Sequence, residues 1–280
     1  MRFFVWTLAL FSLALAAPSL PKSADVLPAE LIFGGSKAHQ GQFPFFVYIN
    51  ITTEDGSDRC GGALITPRHI LTAAHCVGEW MLPGSTAVMG LDTTLTDPTS
   101  TDGVQVRLIK SNYTHDDFGW PPRDDIGIVE VAEPFDITPT VRTIDIKSDD
   151  THIFKDQRLT IMGFGTRRFK GTEKVFSGHL LYVSVPQIPL KQCQEAWPEF
   201  YIWEKQICAG AMGIGGGPGD SGGPMVAQEG GRWYQVGITS GGGGTIEELA
   251  DQSKYPGFYT RTSRYCEWIE LHTNGEFNCI

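Results

Sequence analysis

Residues 213–225 read Gly-Ile-Gly-Gly-Gly-Pro-Gly-Asp-Ser-Gly-Gly-Pro-Met. Seven of the eleven residues in 213–223 are glycine, a composition that suits either a flexible linker or a loop whose backbone must approach something closely. A linker has no need of the ordered ending Asp-Ser-Gly-Gly-Pro. The single serine, Ser221, points instead to a loop built around one side chain.

The chain of 280 residues is long enough for one large domain or two small ones, and 41% hydrophobic residues is too apolar for a disordered chain. Arg2 precedes an apolar run over 3–17 that ends in the small residues Ala14-Leu15-Ala16-Ala17, the pattern of a signal peptide. The run is too short to span a membrane, and no later stretch is long and apolar enough to do so. The expected mature protein is therefore secreted and extracellular. The six cysteines suit that compartment, and they allow fifteen pairings. A net charge of −10 excludes a nucleic-acid backbone as partner. Asn50-Ile51-Thr52 and Asn112-Tyr113-Thr114 are glycosylation sequons.

Residues 18–31 are polar, proline-containing and unpatterned, as in a short pro-segment. Beyond Ile32, strand-like runs recur at 45–51, 62–65, 104–109, 126–131, 158–162, 180–185 and 234–239, with turn residues between them. This spacing predicts a β-sandwich or β-barrel. The clearest helical pattern is terminal, with Thr262 or Ser263 as cap and Tyr265, Trp268, Ile269 and His272 at helical spacing. The acidic, proline-bearing stretch 133–140 is the candidate crossing between two halves.

Three segments carry chemistry: Leu71-Thr72-Ala73-Ala74-His75-Cys76, Asp124-Asp125-Ile126-Gly127-Ile128-Val129, and Gly219-Asp220-Ser221-Gly222-Gly223-Pro224. In these flanks and this order, the chain resembles the trypsin/chymotrypsin-like serine proteases from Ile32 to about Leu271. The resemblance implies an all-β fold of two antiparallel six-stranded barrels, about 32–138 and 139–280, with a C-terminal helix and the site between them. It implies Ser221 as nucleophile and His75 as its general base. Asp125, directly ahead of an apolar run, would orient the imidazole, with Asp124 as the neighbouring alternative. Ser240 matches the serine that supports this aspartate. The N–H groups of Gly219 and Ser221 match the oxyanion hole. Ile32-Phe33-Gly34-Gly35 resembles the mature N-terminus, whose freed ammonium would pair with Asp220 after cleavage at Leu31.

The departures from the family pattern bear on specificity. Leu31 stands where a basic residue usually precedes the cut. Cys60 with Cys76, and Cys193 with Cys208, match family disulfides, which leaves Cys266 and Cys279 to pair with each other. The disulfide that clamps the specificity pocket is missing, with Gly217 at its first position. Gly215 takes the pocket floor, Gly242 and Gly257 the walls, and Gly241 replaces a usual tryptophan. An uncharged, roomy slot favours bulky apolar or aromatic residues before the scissile bond, and its unclamped walls should move when it is empty. Glu247, Glu248 and Asp251 offer an acidic alternative that would favour basic residues. A catalytically inactive binding protein of the same fold is the reading from another class.

No Cys-x-x-Cys or His-Glu-x-x-His pattern occurs, so neither metal nor other cofactor is expected. The expected partners are protein or peptide substrates and proteinaceous inhibitors, not nucleic acid or membrane, and the expected state is a monomer.

Overall fold

A computed structural model describes residues 34–94, 97–98, 101–119, 121–154, 158–170, 173–200 and 202–280. The expected signal peptide, pro-segment and N-terminus at Ile32 lie outside the described residues. After the two-residue β1 (Ser36–Lys37), six strands form the first half: β2 (Phe46–Thr53), β3 (Gly56–Leu64), β4 (His69–Thr72), β5 (Thr86–Met89), β6 (Gln105–Thr114) and β7 (Gly127–Val131). They close into a barrel in the order β2-β3-β4-β7-β6-β5. Strand β2 shows why: Val47, Ile49 and Ile51 are fully buried while Tyr48, Asn50 and Thr52 alternate outward, the two-residue period of a half-buried strand.

The second half contains β8 (Leu159–Gly163), the hairpin β9 (Thr166–Lys170) and β10 (Glu173–Phe176), β11 (Leu181–Val185), β12 (Gln187–Ile188), β13 (Gln206–Ala209), β14 (Pro224–Glu229), β15 (Arg232–Gly241) and β16 (Gly257–Arg261). Its main sheet runs β1-β11-β8-β14-β15-β16-β13-β12. Strands β11 and β12 are separated only by Pro186, yet they pair at opposite ends of the sheet, β11 with β8 and β12 with β13. Proline lacks the N–H that a continuous ladder would use, so the chain bends there and the sheet curls back on itself. Taken as one bent strand, β11 and β12 complete a second six-stranded set. The fold class is that expected, all-β with a short C-terminal helix.

The termini cross between the halves. Strand β1 pairs with β11 of the second sheet. The C-terminal helix α3 (Cys266–His272) packs on the first barrel: Ile269 and Phe277 join its core, and His115 meets the rings of Tyr265 and Trp268. Helix α3 begins at Cys266, after a 3-10 turn over Thr262–Tyr265 and without a side-chain cap. Neither expected cap is free for the role, because Thr262 Oγ1 donates to Gln235 O and Ser263 Oγ donates to Asp150. Two short helices gave no periodic signal in the sequence, α1 (Leu190–Ala196) and α2 (Ile246–Ala250). The disulfides pair Cys60 with Cys76, Cys193 with Cys208 and Cys266 with Cys279. Closing loops of this length stabilises by about 3 kcal/mol each on chain-entropy grounds.

Candidate active site

His75 sits in a 3-10 turn (Ala74–Cys76) that follows β4 and is tied to β3 by the Cys60–Cys76 disulfide. Asp125, only 1% exposed, lies just ahead of β7, which pairs with β4, so the barrel itself brings the two residues together. The contact is two-pronged. His75 N donates to Asp125 Oδ1 at 2.9 Å, and His75 Nδ1 lies 2.7 Å from Oδ2. A carboxylate acceptor there requires the proton on Nδ1, which leaves the lone pair of Nε2 free. From the second half, Ser240 Oγ on β15 donates to Asp125 Oδ2 at 2.6 Å, and Thr260 Oγ1 on β16 donates to the Asp125 carbonyl at 2.8 Å. Burial opposes protonation of His75, but the charge of Asp125, its hydrogen bond and the charge of Asp58 together hold the imidazole pKa above its ordinary value.

Asp124, the sequence alternative, faces elsewhere. Its Oδ1 accepts from Lys205 Nζ at 2.9 Å and from Tyr265 Oη at 3.0 Å. Asp124 adopts φ 47°, a left-handed backbone that is uncommon outside glycine, and the lysine and tyrosine hold it there. Burial and the neighbouring Asp124 charge push the Tyr265 phenol pKa upward.

The glycine-rich loop makes close contact with the first barrel. Gly222 has φ +73°, and a Cβ there would strike Thr72 Oγ1 and Gly61 O and come within 3.1 Å of Cys76 Sγ. A Cβ on Gly61 would in turn lie 2.7 Å from Gly223 Cα. Gly61 N donates to the Ser221 carbonyl at 2.7 Å. Backbone therefore rests on backbone between the two halves, and Ser221 faces the same cavity of about 260 Å³ as His75, Gly219 and Asp58. Asp220, Gly222 and Gly223 direct their N–H groups to carbonyls, and Gly217 N donates to the Asp220 carboxylate. The N–H groups of Gly219 and Ser221 have no acceptor among the described residues. Gly219 adopts φ +92° and packs against Gly165 and the Phe176 ring.

A histidine and a buried aspartate on the closed barrel facing a serine on the curled sheet, with two free amide donors beside the serine, form the arrangement on which the sequence resemblance rests. A sequence profile described as Trypsin matches residues 32–269. The chain belongs to the trypsin family of serine proteases. Coagulation factor XI of Bos taurus is 30% identical over 249 residues, which cover 87% of this chain and 38% of that protein. The chain thus spans well under half the length of this trypsin-family relative.

Asp220, next to Ser221, is 3% exposed. Its carboxylate accepts from Gly165 N at 2.8 Å and from Gly217 N at 2.9 Å. Burial outweighs these bonds and raises its pKa to about 6. Side chains at Gly163 or Gly165 would overlap the carboxylate, so both glycines are required. Gly34, near the start of the described chain, abuts Gly213 on the same glycine-rich loop.

Beside Ser221 lies a second cavity of about 180 Å³, lined by Gly216, Gly217, Gly242, Gly257, Gln252 and Tyr259 among others. Gly242 and Gly257 are the expected walls. The floor differs from the sequence expectation. Gly215 does not border the cavity, because the Gln252 side chain lies over it. Gly241 and Phe258 are complementary: any side chain at Gly241 would enter the Phe258 ring, which meets Trp197 edge-on and Phe200 at a tilt. Aromatic volume is thus supplied from β16, where the family pattern places tryptophan at position 241.

None of Glu247, Glu248 and Asp251 borders the cavity. Glu248 belongs to the capping box of α2, accepting from Thr245 N at 3.0 Å, and Asp251 accepts from Ser253 Oγ. In place of the missing disulfide, Gly213 N donates to Ala250 O at 2.8 Å and Gln252 Nε2 donates to Gly216 O at 2.6 Å. Sequence reading missed Gln252 because it sits in no motif. It missed Thr260 because only the pairing of β15 with β16 brings that residue under Asp125.

Proposed function

We propose that this chain is a secreted serine endopeptidase, synthesised with a signal peptide over 1–17 and a pro-segment over 18–31. His75 Nε2 takes the Ser221 hydroxyl proton as Oγ bonds to the scissile carbonyl carbon. The carbonyl oxygen, now negative, accepts from the N–H groups of Gly219 and Ser221. His75 then passes the proton to the leaving amine nitrogen as the C–N bond breaks, and water hydrolyses the acyl-enzyme by the same route. Asp125, supported by Ser240, holds the imidazole orientation and stabilises the imidazolium. The observation that carries this reading is the His75–Asp125–Ser240 hydrogen-bond chain facing a serine flanked by two uncommitted amide donors.

Cleavage before Ile32 would release an ammonium for the buried Asp220 carboxylate, making the uncut chain a zymogen. Asn50 on β2 and Asn112 on β6 are half-buried strand positions and the candidate glycosylation sites. The cavity lined by Gly216, Gly242 and Gly257 carries no charged side chain, which favours bulky apolar or aromatic residues before the cut. Burying such a side chain contributes about 1.5–3 kcal/mol.

The test is labelling by a serine-directed phosphonate after cleavage at Leu31. Labelling and peptide hydrolysis should both vanish in Ser221→Ala, with kcat falling on the order of a million-fold. Labelling that persists in that variant refutes the assignment.

A further inference from the structure

Gln252 is a polar side chain, 2% exposed, lying against the specificity cavity. Its amide occupies the space that any side chain at position 215 would fill, since a Cβ on Gly215 would collide with Oε1, Cδ and Nε2. The backbone makes room for it as well: at Gly210, φ +148°, a Cβ would come within 2.7 Å of Gln252 Cβ and 2.8 Å of its carbonyl oxygen. Helix α2, capped by Thr245 and Glu248 and joined to Gly213 through Ala250, delivers the residue from the far side of the pocket.

The amide is held at one end only. Nε2 donates to Gly216 O, while Oε1 is buried without a hydrogen-bond partner among the described residues. A buried amide serving only as a structural clasp normally has both ends satisfied. Here one end is left over on a side chain that lines the same cavity as Ser221.

We propose that Gln252 is the specificity-determining residue of this pocket, a neutral floor supplied from the wall in place of a side chain at 215. It sets the depth of the slot, which takes phenylalanine, leucine or methionine and refuses the longer cationic side chains. The proposal rests on the protease reading and names the substrate class of that same site. It also predicts which single change converts the preference. A carboxylate at 252 would stand at the base of the slot and attract a guanidinium or amidinium, whereas truncation would deepen the slot.

The experiment compares wild type, Gln252→Glu and Gln252→Ala, each cut at Leu31 and titrated with the phosphonate. The peptides differ only in having Phe, Leu, Trp or Arg before the scissile bond. Wild type should favour Phe and Leu over Arg. Gln252→Glu should raise the Arg:Phe ratio of kcat/KM by about tenfold or more, the scale of one hydrogen bond to a charged group. Gln252→Ala should raise the Trp:Phe ratio. Ratios unchanged in both variants, with normal titration, overturn the proposal.

A second arm needs no turnover. Benzamidine, an aryl amidinium, is titrated against Ser221→Ala alone and against Ser221→Ala combined with Gln252→Glu. The double variant should bind about tenfold tighter or better, and equal affinity overturns the proposal. A wild-type chain that neither labels nor cleaves refutes the protease reading, while the benzamidine comparison still decides the role of Gln252.

Discussion

The two sides of the cleft are built on opposite principles. Around His75 and Asp125, four donors converge on one aspartate and a disulfide anchors the turn. Around the proposed specificity pocket the walls are glycine, no disulfide crosses them, and single hydrogen bonds from Gly213 and Gln252 hold the far side in place. The contrast teaches that chemistry and selection tolerate change differently. Proton transfer requires atoms fixed in position. A binding slot needs only a shape, which different residues can supply from different directions.

Paired glycine substitutions should break the comparison most visibly. Gly222→Ala adds a Cβ at φ +73° against Thr72, Gly61 and Cys76, forcing the serine loop off the first barrel. Loss of several kcal/mol, of the order seen for overpacking plus backbone strain, should appear in urea unfolding together with loss of activity. Gly244→Ala, on the pocket side, meets nothing within 4 Å and should stabilise by about 0.4–1 kcal/mol, with cleavage rates retained.

Next in size is the pH dependence of the uncut chain. Asp220 has a pKa of about 6 when folded, against an ordinary 3.8. Between those values the folded state holds more protons than the unfolded one, so stability falls as pH rises through the window. The accumulated loss at neutral pH is on the order of 3 kcal/mol. Urea midpoints of the uncut chain should show this decline, and Asp220→Asn should remove it. Cleavage at Leu31 should also remove it if the Ile32 ammonium reaches the carboxylate. A slope that survives cleavage would separate the buried Asp220 from activation.

The smallest effect sharpens the catalytic side. In the proposed mechanism His75 acts in its neutral form, and the net influence of burial, Asp125 and Asp58 keeps its pKa above the usual value. The acid limb of kcat/KM should therefore lie above the roughly 6.5 of free imidazole. Asp58→Asn removes the weakest of the charges that raise it. The limb should move down by a fraction of a unit, with kcat at high pH unchanged.

What could be read in advance divides along the same line. The strand runs were readable because alternation acts between neighbours in sequence, placing Val47, Ile49 and Ile51 in a core, and the three motif segments because the residues flanking His75, Asp125 and Ser221 resemble a family pattern. The terminal helix was placed, but its start was not, because Thr262 and Ser263 turn their hydroxyls to Gln235 and Asp150, which are remote in sequence. The choice between Asp124 and Asp125 came down to which carboxylate the pairing of β4 with β7 carries to the imidazole.

By itself, then, the sequence determined the all-β class, pointed through its family resemblance to the proposed reacting groups, and left no charge at Gly215. Tertiary structure alone decided that Gln252 would cover that glycine, that Phe258 would fill the space opened by Gly241, and that Glu248 would cap its own helix rather than face the cavity. The physical reason is range. Strand alternation and turn chemistry act over a few residues, whereas a pocket is the space left between segments whose distance along the chain says nothing about their distance in the fold.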